Sequence, residues 1–85
     1  MNVVLNCENL RTREQAHAYL AEALNLPAYY GKNLDALYDC LTELGDCEIT
    51  LEGTESAESG YAAMVLKVLE EAAQANPGLQ LEKNI

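Results

Sequence analysis

Asp35 and Asp39 stand four residues apart in the stretch Leu26 to Leu44, LPAYYGKNLDALYDCLTEL, which also holds three of the chain's five tyrosines. On a helix two carboxylates at that spacing repel each other at a cost of about 0.2–0.5 kcal/mol. Asp35 has a structural reason to be there, because a carboxylate in a first helical turn complements the helix dipole. Asp39 has none. Paired carboxylates serve general acid/base catalysis or divalent-metal binding, and they serve equally well as the charged part of a binding surface. The only histidine, His17, lies outside this stretch on an earlier helical segment. No serine accompanies the aspartates for it to activate, and no glycine-rich phosphate loop is present. His17 therefore reads as a packed or surface residue, and a binding module is favoured over an enzyme. Tyr29 and Tyr30 directly precede Gly31, and a loop has little packing reason for two large rings. One is expected to staple the loop to the body. The other is then exposed as a contact anchor, the role in which tyrosine is enriched at interfaces.

The elements that must hold these groups can be read in order. Val3, Val4 and Leu5 form an uninterrupted apolar run within Asn2 to Asn6, the pattern of a short strand buried on both faces. Thr12 and Gln15 match a capping box ahead of a helix with Ala16, Leu20, Ala23 and Leu24 on its apolar side, and Pro27 closes it or its exit loop. Asn33 is placed to cap a second helix, on which Leu34, Leu37, Leu41 and Leu44 make a stripe at helical spacing. At about 100° per residue, Asp35, Tyr38, Asp39 and Thr42 project from the opposite side. CEITLE alternates Ile49 and Leu51 with polar neighbours, as a half-exposed edge strand does. The acidic segment Gly53 to Gly60 reads as a loop with one helical turn. Tyr61, Met64, Val65, Val68, Leu69, Ala72 and Ala75 then recur through a long amphipathic helix that stops at Asn76-Pro77-Gly78. LQLEKNI closes the chain as a second edge strand. The order is βααβαβ. Helical connections between strands favour a parallel sheet, and a doubly buried first strand between two alternating ones predicts the spatial order 2-1-3.

Composition sets the outer limits. At 85 residues the chain is expected to form one domain spanning residues 1–85. Fourteen acids against five bases give a net charge of −9, which opposes direct nucleic-acid binding and favours a basic partner. No apolar run approaches the roughly 20 residues of a membrane span. The N-terminal segment lacks the basic and apolar regions of a secretory signal, so the expected compartment is the cytoplasm. Cys7, Cys40 and Cys47 are odd in number with no close pair, which suits reduced thiols rather than a disulfide framework or a zinc site. No metal or cofactor is expected.

The run LP-x-YYG-x-NLDAL-x-DCLT within Leu26–Leu44 closely resembles the signature of the barstar family, intracellular inhibitors of a secreted bacterial ribonuclease, and the similarity weakens from Gly45 onward. The resemblance implies a barstar-like α/β fold, a three-stranded parallel sheet with helices, and a non-enzymatic protein whose loop and second helix plug a nuclease active site. It implies that Tyr29 contacts the catalytic histidine region of a barnase-like, guanyl-specific enzyme, and that Asp35 and Asp39 imitate substrate phosphates before its arginines. Gly31, Asn33 and Thr42 match neighbouring contact positions, and Glu71 matches an acidic contact through its local Glu-Ala pair. The family pattern has tryptophan at the position of Tyr38, a small residue at Glu43 and a second tryptophan at Leu44. The implied partner is a basic secreted or injected ribonuclease, bound by a monomer in a 1:1 complex. The alternative is an acidic binding or immunity module for another basic protein or toxin.

Overall fold

The computed structural model describes residues 1–84. Three strands, β1 (Asn2–Asn6), β2 (Cys47–Glu52) and β3 (Leu79–Lys83), alternate with three helices, α1 (Arg13–Ala23), α2 (Leu34–Glu43) and α3 (Gly60–Ala75). One-turn 3-10 helices follow β1 at Cys7–Leu10 and β2 at Thr54–Ala57. The expected βααβαβ order and the parallel three-stranded α/β sheet are what the chain adopts, with β1 pairing β2 and β2 pairing β3.

The strand order is β1-β2-β3, so the expected 2-1-3 arrangement is corrected. β2 is the central strand and β1 an edge. The error came from taking alternation as a mark of edge position. Alternation reports how many faces of a sheet are covered, and here the helices cover only one. In register, Val3, Ile49 and Leu81 lie side by side on the helix face, while Val4, Thr50 and Glu82 lie on the other. Leu5, Cys47, Ile49, Leu51 and Leu79 are buried, whereas Val4 is 57% exposed. The apolar run Val3-Val4-Leu5 is therefore not a doubly buried strand.

The core between sheet and helices is aliphatic: Leu10 from the first 3-10 turn, Leu20 and Leu24 of the α1 region, Leu37 and Leu41 of α2, and Val65, Leu69 and Ala72 of α3. α2 lies beside α3, and their ends are joined. The Asn76 side chain, just past α3, donates to the carbonyls of Leu41 and Leu44 at 3.0 Å each. Orphan carbonyls at a helix C-terminus need such partners. Among the described residues no helix is long and apolar enough to cross a membrane.

Candidate functional site: the loop before α2 and the outer face of α2

The loop is launched by the way α1 ends. Leu24 closes the helix, Asn25 adopts φ 51°, and the Leu26 and Asn25 amides donate to the carbonyls of Ala21 and Glu22. This is a Schellman turn with asparagine in the left-handed position that glycine more often fills. Pro27 follows, and its carbonyl accepts the Tyr30 amide at 3.0 Å. That turn sends the two adjacent rings in opposite directions: Tyr30 is 7% exposed and Tyr29 85%. One ring staples and the other is presented, as their placement before Gly31 led us to expect.

What Tyr30 is stapled to was not legible. Its hydroxyl lies 2.5 Å from His17 Nδ1, and His17 Nε2 lies 2.5 Å from the Tyr61 hydroxyl. A neutral imidazole has one donor and one acceptor nitrogen, so one tyrosine donates to it and the other accepts. Burial, helped by the charge of Arg13, lowers the His17 pKa and favours that neutral form. Burial likewise pushes the Tyr30 phenol well above its usual value. The bridge ties α1, the loop and α3 together behind the presented surface. A sequence signal existed, since His17 continues the apolar stripe of Ala16, Leu20 and Leu24 at helical spacing.

Asn33 caps α2 by accepting the Ala36 amide at 2.7 Å, and its Nδ2 donates to the Gly31 carbonyl at 3.3 Å. A Cβ at Gly31 would stand 3.3 Å from the Ala36 Cβ, so the residue's smallness lets the loop lie close against the first turn of α2. Lys32 between them takes φ 55°, a left-handed conformation uncommon outside glycine and asparagine.

On α2 the division of faces is as expected for the leucines and the aspartates, whereas Tyr38, expected on the presented side, packs partly buried against the core. Leu37 and Leu41 are fully buried, and Leu34 and Leu44 pack partly buried against the core. Asp35 and Asp39 are exposed on the outer side, while Tyr38 and Thr42 are half-buried. The two carboxylates are separated by four residues, a rise of about 6 Å along the axis. The Thr42 hydroxyl is turned onto its own helix and donates to the Asp39 carbonyl at 2.9 Å. A cleft of about 380 Å³ brings Asn33 and Asp35 together with Arg13 and Tyr61. A second, of about 300 Å³, gathers Tyr29, Gly31 and Asp39 with Cys40 and Glu43. Glu71 is exposed on α3 and shares neither cleft nor any side-chain hydrogen bond with this group. Arg13 and Tyr61, from two other elements, are lining residues that the sequence did not single out. Cys40 is half-buried rather than sealed in the core, and burial together with the neighbouring Glu43 and Asp39 carboxylates raises its pKa, which makes it a weak nucleophile.

A surface with an exposed ring and two aligned carboxylates is suited to holding a cationic surface. The family model described as "Barstar (barnase inhibitor)" matches residues 1–83. The Bacillus subtilis (strain 168) protein "Putative ribonuclease inhibitor YrdF" is 37% identical over 75 residues, covering 82% of each chain.

Proposed function

The chain belongs to the barstar family, and from that premise we propose that it inhibits a barnase-like, guanyl-specific ribonuclease by seating its loop and the outer face of α2 in the enzyme's active site. The observation that carries this reading is the presentation of Asp35 and Asp39. Their helix is fastened by buried leucines on the opposite side, and Tyr29 stands exposed beside them. Carboxylates held in this way occupy the phosphate positions of an enzyme whose arginines bind RNA, through short charge-assisted hydrogen bonds. Blocking an existing anion site needs no chemistry from the inhibitor. Gly31 and Asn33 set the loop against the helix, and Tyr38 and Thr42 extend the contact. Glu71 contributes from α3 at the margin.

The partner on this reading is a basic secreted or injected nuclease, bound 1:1 by a cytoplasmic monomer acting as an antitoxin or immunity protein. The net charge of −9 fits such a partner. Removing Asp39 strands a desolvated enzyme cation, so Asp39→Ala is expected to weaken the complex by about 2–5 kcal/mol or more, the general cost of truncating one partner of a buried hydrogen-bonded charge pair. Titration of RNA cleavage by barnase against parent and variant measures it, and equal inhibition by the two would overturn the plug. The negative charge alone favours a second reading, an immunity module for some other basic protein. Co-purification from the native cell separates the two by whether the captured partner cleaves RNA.

A further inference from the structure

His17 is 1% exposed and hydrogen-bonds through both ring nitrogens, to Tyr30 of the loop and to Tyr61 of α3. The surroundings of the two hydroxyls decide where the protons sit. Tyr30 is buried and, among the described residues, its hydroxyl has no hydrogen-bond partner besides His17 Nδ1, so its hydrogen goes to that nitrogen. Tyr61 is half-buried, so its hydroxyl accepts the Nε2 hydrogen and turns its own toward water. The imidazole is thus the neutral tautomer with hydrogen on Nε2, and the next proton must add to Nδ1. Both nitrogens then donate. The Tyr30 oxygen changes from donor to acceptor, and its own hydrogen is left buried without an acceptor, an arrangement that folded proteins avoid.

Around this ring stand Arg13 and Glu14 of α1, Tyr30 and Lys32 of the loop and Tyr61 of α3, while Asp35 of α2 lines the adjoining cleft with Arg13. Two of these neighbours are cations, and neither carboxylate bonds to the ring, whose nitrogens both face tyrosines. The loop is also hinged. Asn25 at φ 51° and Lys32 at φ 55° bracket residues 26–31, and they are the described non-glycine residues with positive φ. Such conformations persist only while the surrounding structure holds them. Between the two hinges Tyr30 alone is buried, so the hold on the loop converges on the side chain that His17 binds. We propose that His17 is an acid-operated latch: a proton taken up at Nδ1 displaces the Tyr30 hydroxyl and frees residues 26–31 to swing about Asn25 and Lys32, dissolving the pose of Tyr29 while the sheet and α3 stay folded. As regulation of an inhibitor the latch rests on the reading of this loop as inhibitory, and as a movement of the loop it does not. Burial and the charge of Arg13 hold the folded His17 pKa below 6.5, so the loop is kept at neutral pH and let go as pH falls through that lowered value.

The test follows the whole 15N-labelled chain by NMR from about pH 8 to about pH 5. At the upper end, long-range correlations within the imidazole are expected to place its hydrogen on Nε2 alone. On acidification the amides of Leu26, Tyr29, Tyr30 and Lys32 are expected to shift or broaden with the same midpoint as the His17 ring, while those of Ile49, Leu51 and Leu69 hold. Tyr30→Phe keeps the buried ring and removes only the hydroxyl, so the loop amides of that variant should lose their response to the titration of His17. His17→Gln should lose it as well. Hydrogen on Nδ1 at the upper end, loop amides that stay flat while His17 titrates, a loop response of parent size in Tyr30→Phe, or changes of equal size throughout the sheet would each overturn the latch. No nuclease enters these measurements. Inhibition of barnase at about pH 8 reads the inhibitor function by itself, so its failure counts against that reading and leaves the latch to be judged on the loop amides.

Discussion

The inner and outer sides of the Tyr29–Tyr30 pair are built on opposite rules. On the inner side Tyr30, His17 and Tyr61 satisfy one another, and among the described residues no buried side-chain nitrogen or oxygen lacks a partner. On the outer side Tyr29 is exposed, and among the described residues the Asp35 and Asp39 carboxylates cap and bridge nothing. A satisfied polar network fixes a pose, whereas groups left with water keep their bonding capacity for a partner. Damage to the inner side should therefore appear first as lost stability, and damage to the outer side as lost binding alone.

The largest break in that division is expected from Tyr30→Ala, which empties a ring-sized space and strands His17. Urea unfolding should show a loss of ~3–5 kcal/mol, with inhibition weakened as well because the loop loses its staple. An unaffected midpoint would mean that the bridge does not hold the loop.

Acid acts on the same network. His17 has its folded pKa below the usual 6.5, so the unfolded chain binds the proton more readily than the folded one. This contribution to stability is complete above about pH 6.5 and is lost as pH falls below it, until the depressed folded pKa is passed. The slope approaches at most ~1.4 kcal/mol per pH unit. Unfolding free energies measured from pH 7 to 5 should fall more steeply for the parent than for His17→Gln, and parallel curves would remove His17 as the cause.

Outer-side effects should leave the fold alone. Raising ionic strength should slow association with a basic nuclease by screening long-range attraction. Stopped-flow rates that stay flat with salt would deny that steering. The smallest effect sharpens the comparison most. Asp39→Asn removes the like-charge pairs with both Asp35 and Glu43 and should stabilise α2 by ~0.4–1 kcal/mol while weakening binding. A measurable destabilisation would place Asp39 among the structural residues.

Much of this division was legible in the sequence because it follows from helical spacing. Leu37 and Leu41 against Asp35 and Asp39 is a question of which side of a cylinder each residue occupies, and Asn33 at the cap is a matter of local chemistry. The sheet was harder to read. Val4 made β1 look central, although an apolar side chain on an uncovered face is a common exception to burial. The alternation of β2 fits a central strand equally well once only one face is covered. His17 reads as a packed or surface residue and is packed, but its partners lie 13 and 44 residues away, and nothing local announces a contact formed by folding. The clefts shared by Arg13, Tyr61 and Glu43 with the aspartates were hidden for the same reason.

Asn76 carries a consequence for the chemical lifetime of the protein. Its amide nitrogen donates to the carbonyls of Leu41 in α2 and of Leu44 just past it, and its oxygen accepts the Gly78 amide, so conversion to aspartate would set a carboxylate oxygen against two carbonyl oxygens where α2 ends. Asparagine ages to aspartate chiefly when the next backbone nitrogen attacks the side-chain carbonyl and closes a ring. The next residue here is Pro77, whose nitrogen has no hydrogen to give up. The proline that follows α3 thus also closes the usual route of spontaneous decay at the side chain joining the ends of the two helices.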